Sequence, residues 1–134
     1  MKTVRLVGSD PSVDGSFRAD HQVQMGLVRA LKDALPEDSR NGKATEIYDQ
    51  LKVYTGAHFL SEQLLMRLHG YADYEQHCQE HEELLEALDA AQSSLQVGTV
   101  ANRLNTLKII EDSLTRHIAT SDVAFERFVS ATSG

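Results

Sequence analysis

The run Tyr74-Glu75-Gln76-His77-Cys78-Gln79-Glu80-His81-Glu82-Glu83-Leu84-Leu85 consists largely of strong helix formers and carries two histidines four residues apart. Four residues make about one turn, so a helix here presents both imidazoles on one face at neighbouring heights. Two neutral imidazoles so placed can chelate a transition metal. The same geometry occurs upstream, where Gly56-Ala57-His58-Phe59-Leu60-Ser61-Glu62 sets an imidazole and a carboxylate at i and i+4. His21 stands alone in an earlier apolar run, and His117 is followed five residues later by Asp122. The candidate set is five histidines and two carboxylates from four segments.

Around these segments the chain of 134 residues is 41% hydrophobic and 25% charged, which suits one domain with a real core spanning residues 1–134. A net charge of -7, with only 13 Lys and Arg, argues against nucleic acid or an anionic membrane as partner, because phosphate binding needs a clustered basic surface. The N-terminus lacks the apolar core of a signal peptide, and no apolar run is long enough to span a bilayer. The single cysteine, Cys78, excludes an internal disulfide and fits a reducing compartment, so the expected location is cytoplasmic.

Along the chain, residues 1–19 mix Gly, Ser, Asp and Pro and read as an irregular N-terminal arm that Val4, Leu6, Val7 and Phe17 could pin to the body. Asp20 fits an N-cap for a first helix carrying Val23, Met25, Leu27, Val28, Leu31 and Leu35, which Pro36 stops. A second helix is expected from about Lys43 to His69, closed by Gly70, and a third from near Asp73 to about Gln96. A fourth follows from about Val100 through Leu104, Leu107, Ile110, Leu114, His117 and Ile118. Amphipathic runs joined by short loops describe an all-α fold, an up-down-up-down antiparallel four-helix bundle over residues 20–130.

All seven candidates lie among residues that must face inward, so they should converge inside the bundle. Buried imidazoles and carboxylates are expensive without partners, and a metal cluster is the economical way to satisfy several at once. His117 and Asp122 lie roughly 140° apart around an ideal helix. They share a site only if a π-type turn or a helix end intervenes. His69 reads as a surface residue, Cys78 as a small core or interface residue, and Tyr54, Tyr71 and Tyr74 as packing residues. Glu80, Glu82, Glu83 and Glu86 read as a solvated face. Donor type alone admits zinc, manganese, cobalt or iron.

Together, the lone His21, His58-x-x-x-Glu62, His77-x-x-x-His81 and His117-x-x-x-x-Asp122, with the lead-in Gly70-Tyr71-Ala72-Asp73-Tyr74-Glu75, resemble the hemerythrin family, its bacterial members in particular. The likeness covers residues 20 to about 126. It implies a non-haem centre of two iron ions, Fe2+ or Fe3+, joined by an oxo or hydroxo bridge. By that resemblance His77, His81 and His117 serve one iron, His21 and His58 the other, and Glu62 and Asp122 bridge them. One coordination position stays open, where in the family dioxygen binds reversibly as hydroperoxide. By motif position Leu114 and Ile118 line the ligand pocket. The family commonly has tryptophan four residues before the helix-four histidine; this chain has Ser113 there and no Trp anywhere. The usual Trp and Asp-x-x-His lead-in to the first histidine are also missing from Phe17-Arg18-Ala19-Asp20-His21.

The function so implied is reversible dioxygen binding for storage, delivery or scavenging, without catalysis. The alternative is a sensing domain that reports oxygen, nitric oxide or redox state through the same di-iron site to a covalent or transient signalling partner. Small anions are further expected ligands of the open position. A di-iron oxidase or peroxidase is the weaker reading, because a histidine-rich site leaves few groups for general acid-base work.

Overall fold

The computed structural model describes residues 11–37 and 42–133. Helix α1 runs Pro11–Ala34 and ends in a 3-10 turn, Leu35–Glu37; α2 runs Lys43–Leu68, α3 Tyr74–Gln96 and α4 Val100–His117. A π-helical turn, Ile118–Asp122, joins α4 to α5, Val123–Ser133. Val123 keeps right-handed helical angles (φ -63, ψ -40), so α4, the turn and α5 form one rod that serves as the fourth helix of the bundle. Each helix packs on its neighbour in sequence and α1 closes the ring against α4.

Cross-helix bonds fix the antiparallel sense. Gln63 reaches His81 while Tyr48 donates to the Leu88 carbonyl, so position rises on one helix as it falls on the other. The same inversion links α1 to the fourth rod, through His21 with Asp122 and Lys32 with Glu111.

The helix ends follow local chemistry. Gly70 has φ 64, the left-handed conformation that glycine tolerates best. From there Gly70 N–H donates to the Arg67 carbonyl and Tyr71 N–H to the Met66 carbonyl, closing the last carbonyls of α2. At the start of α4 the Thr99 hydroxyl accepts from the Asn102 N–H at 3.1 Å.

One boundary differs from the sequence reading. Residues 11–19, expected in an irregular arm, are helical, and α1 begins nine residues before Asp20. Pro11 stands at the first helical position, where its missing N–H goes unmissed, and the run Pro11 to Ala19 has only Gly15 to oppose a helix. Residues 1–10, with Val4, Leu6 and Val7, and the side chain of Phe17 lie outside what is described.

Among the described residues two apolar clusters fill the interior. One holds Leu31, Leu35, Tyr48, Leu51, Leu88, Leu107 and Leu114, and the other Met66, Phe125 and Val129, with Tyr71, Tyr74, Cys78 and Phe128 packed on it. Burying each leucine contributes ~1.5–3 kcal/mol. In sequence, His58 and Glu62 fall between Leu51 and Met66, and His117 and Asp122 between Leu114 and Phe125. The polar candidates thus occupy a layer between two dry ones. Among the described residues no helix is long and apolar enough to cross a membrane.

Candidate metal centre

The i, i+4 spacing on α2 aims His58 and Glu62 inward, and the same spacing on α3 aims His77 and His81 at them. The π turn adds one residue to the ring closed by each backbone bond, which swings Asp122 round onto the face of His117. All five of Glu62, His77, His81, His117 and Asp122 are buried. Each offers a ligand atom within 4.8 Å of the others. His21, His58 and Asp122 form a second group on the same criterion.

Asp122 belongs to both groups, and its two oxygens divide between them. Oδ1 lies 3.0 Å from Nε2 of His77 and 3.0 Å from Nε2 of His117. Oδ2 lies 2.9 Å from Nε2 of His21 and 3.9 Å from Nε2 of His58. On the opposite wall Glu62 Oε1 is 3.1 Å from His77 Nε2 and 2.9 Å from His81 Nε2.

His21 and His77 hydrogen-bond Asp122, but not all of this proximity is hydrogen bonding. Both oxygens of Glu62 and Nε2 of His81 and His117 are buried and make no hydrogen bond among the described residues, although ion-pair distances are met. Leaving such groups unsatisfied costs about 1–3 kcal/mol apiece. Lone pairs that crowd one point without pairing fit a cation held between them, and the imidazole and carboxylate donor set suits a first-row transition metal.

The far side of three rings is tied down. His58 Nδ1 faces Asp20 Oδ2 at 2.7 Å, His81 Nδ1 faces Gln63 Oε1 at 2.9 Å, and His117 Nδ1 faces Glu80 Oε1 at 3.1 Å. Each acceptor holds the proton on Nδ1 and so leaves the Nε2 lone pair for the centre. Asp20 also accepts from the Tyr54 hydroxyl at 2.8 Å, and Glu80 from Ser121. Phe59 lies flat on His81, centroids 3.8 Å apart and planes 4° from parallel, and meets His117 edge-on.

These partners correct two sequence readings. Asp20 is not an N-cap; it sits inside α1 and orients His58, because the helix starts earlier than its cap-like sequence suggests. Glu80 does not belong to the solvated face, since α4 and the π turn bring His117 and Ser121 over it; Glu82, Glu83 and Glu86 are exposed as expected. Gln63 and Phe59 carried no signal beyond adjacency to Glu62 and His58. Tyr71 and Tyr74 pack on the second cluster with half-buried Cys78, and half-buried His69 meets Phe125 edge-on, away from the centre.

The electrostatics match a site that expects positive charge. Burial alone would lower the pKa of His77, but Asp122 and Glu62 outweigh it and carry it up to about 9. Burial opposes the charge on His58 too, yet Asp122, Glu62 and Asp20 raise its pKa. His81 goes the other way, lowered by burial that Glu62 only partly offsets. Burial pushes Asp122 up, but the neighbouring imidazoles of His117, His21, His58 and His77 hold it well below the usual carboxylate range.

Of the three expected pocket residues, Leu114 and Ser113 line an apolar pocket of about 110 Å³ between α3 and α4. Ser113 also borders an open polar cleft of about 390 Å³ that reaches His117, Glu80 and Arg116. Ile118, half-buried, opens the π turn directly after His117.

A family model described as the hemerythrin HHE cation binding domain matches residues 13–127. The chain belongs to the hemerythrin family. The bacteriohemerythrin of Methylococcus capsulatus is 28% identical over 111 residues, which cover 83% of this chain and 84% of that one. The hemerythrin of Phascolopsis gouldii is 34% identical over 118 residues, covering 87% and 92%. Hemerythrin subunit 1 of Golfingia vulgaris is 33% identical over 81 residues, covering 60% and 70%. No solved structure matches the chain. Hemerythrins bind oxygen at a di-iron centre, and the buried donors of this chain fit that cofactor, two iron ions with an oxo or hydroxo bridge.

Proposed function

We propose that this chain binds dioxygen reversibly, for storage, delivery or scavenging, where His77, His81 and His117 would hold one iron, His21 and His58 the other, and Glu62 and Asp122 would serve both. The observation that carries the assignment is the split of Asp122, one oxygen toward each histidine group. A reduced iron pair supplies two electrons and an open coordination position for dioxygen. The protein decides where that position lies: Glu62 and Asp122 stand with three histidines on one side, whereas Asp122 alone stands with His21 and His58 on the other, so the His21 side stays the poorer in donors even with Glu62 reaching across. His21 is also the more accessible ligand, its side chain 14% exposed against 1% for His58.

The remaining groups support binding over turnover. Asp20, Gln63 and Glu80 hold the Nδ1 protons of His58, His81 and His117 in fixed bonds, which leaves those rings no labile proton for acid-base work. Phe59 and the flanking apolar clusters keep bulk water from the buried donors except along the cleft that reaches His117.

Iron analysis with visible spectroscopy tests this reading. The expected result is two irons per chain and a colourless reduced protein that gains a visible band in air and loses it when oxygen is removed. Immediate, irreversible oxidation in air would refute reversible binding. Fewer than two irons after reconstitution would refute the ligand assignment.

A further inference from the structure

The outward face of α2 carries an apolar stripe with no covering element among the described residues. Val53, Leu60, Leu64 and Leu68 are 73%, 69%, 59% and 72% exposed, and exposed Ala57 lies among them. Positions 53, 57, 60 and 64 step by four, three and four residues, the spacing of a helix-pairing seam. Between Lys52 and Arg67 the only charged-type residues are His58 and Glu62, both turned into the metal centre.

A second observation falls on the same face. Gly56 lies mid-helix, half-buried beside the stripe, and a Cβ built there would meet nothing within 4 Å. Packing among the described residues therefore does not require a glycine at a position where it weakens a helix. Its open backbone leaves room for another helix to come close.

The size of the stripe fits an interface. Taking about 160 to 190 Å² for a fully accessible valine or leucine, the four exposures leave roughly 500 Å², high in the ~300–600 Å² range of the largest patch on a monomer. Val23, 41% exposed on adjacent α1, together with Ala57, Ser61 and Arg67, extends it toward the ~800 Å² a side of a stable pair.

The ends of the stripe select the occupant. Exposed Glu46 and Asp49 lie with exposed Lys43 at one end of α2 and exposed Arg67 at the other, with neutral surface between. Inverting one copy sets Arg67 against Asp49, and a two-fold axis makes that pairing twice. The stripe also offers a chain of net charge -7 its low-charge surface for meeting another copy.

We propose that α2 pairs antiparallel with α2 of a second copy of this chain, about a two-fold axis level with His58 and Phe59. In that register Val53 faces Leu64 of the other copy and Ala57 faces Leu60, small against large. Arg67 comes alongside Gln50 and Asp49. The proposal does not depend on the ligand that the metal centre binds.

Sedimentation equilibrium of the iron-loaded protein from about 1 to about 300 μM tests it across the range of weak and ordinary interfaces. A reversible monomer–dimer equilibrium is expected. Leu60→Glu with Leu64→Glu should weaken it at least 100-fold while helix content and iron content hold, since both side chains are exposed. Val53→Cys with Leu64→Cys should cross-link under mild oxidation through 53-to-64 bonds, identified by peptide mapping. A monomer at every concentration, a dimer indifferent to the two glutamates, or cross-links only between like positions would overturn the proposal. So would a monomer whose melting temperature falls in the glutamate variant, because that result puts a segment of the same chain over the stripe.

Discussion

Metal uptake at the three-histidine side should tighten steeply as pH rises above neutrality. His77 is the controlling group: burial resists its charge, but Asp122 and Glu62 carry its pKa up to about 9. In the metal-free protein this ring is therefore an imidazolium at pH 7, and an incoming metal must displace its proton. At ~1.36 kcal/mol per unit, the two units between pH 7 and the pKa of about 9 oppose binding by ~2.7 kcal/mol. Apparent affinity should climb about tenfold per pH unit up to that pKa and level off above it. Stability of the metal-free fold carries the opposite sign. A histidine whose pKa is raised on folding stabilises fully below its ordinary value of 6.5, and that contribution is lost as pH rises through about 9. Asp122, held far below its usual range by its four histidines against the opposing effect of burial, stays ionised throughout and adds no slope. His81, lowered by burial, is already neutral, and His58, raised, acts with the same sign as His77 on the other side. The assay is competition between the protein and a chelator for Co2+, a probe whose visible spectrum reports imidazole ligation, at half-unit steps across the window. An affinity that stays flat between pH 7 and 9, after correction for the chelator's own protons, would refute the argument.

Other perturbations address single contacts. Asp20→Asn should lower metal affinity at the His21 and His58 side by about 10- to 100-fold, because His58 Nδ1 and the Tyr54 hydroxyl lose their charged acceptor; iron stoichiometry against a chelator series reads it. Ser113→Trp should fill the apolar pocket beside Leu114, close the adjoining cleft toward His117, and slow oxidation of the oxygenated protein. An unchanged decay rate would show that water does not enter by that route. Tyr48→Phe leaves the buried Leu88 carbonyl without its side-chain donor and should lower unfolding free energy by about 1 kcal/mol in denaturant titration, with oxygen binding unaffected.

The places where the sequence spoke plainly share one property. His58 with Glu62 and His77 with His81 each lie one turn apart on a single helix, so backbone geometry alone puts both members on one face. Even the distortion between His117 and Asp122 was legible, because a regular helix would have sent the two side chains different ways; the π turn at Ile118–Asp122 resolves that conflict. Asp20 and Glu80 were misread for the opposite reason. A carboxylate in a polar run looks like a cap or a solvated face until a neighbouring helix arrives, and neither His58 nor His117 is near it in sequence.

The amino-acid order by itself determined the helix pattern, apart from the start of α1, and the seven candidate donors, because each depends on spacing within a few residues. Only the tertiary structure decided that one oxygen of Asp122 meets His77 and His117 while the other meets His21. It also decided that Asp20, Gln63 and Glu80 fix the rings from behind. Those relations join different helices, and their distances are set by how the helices pack, which local spacing does not encode.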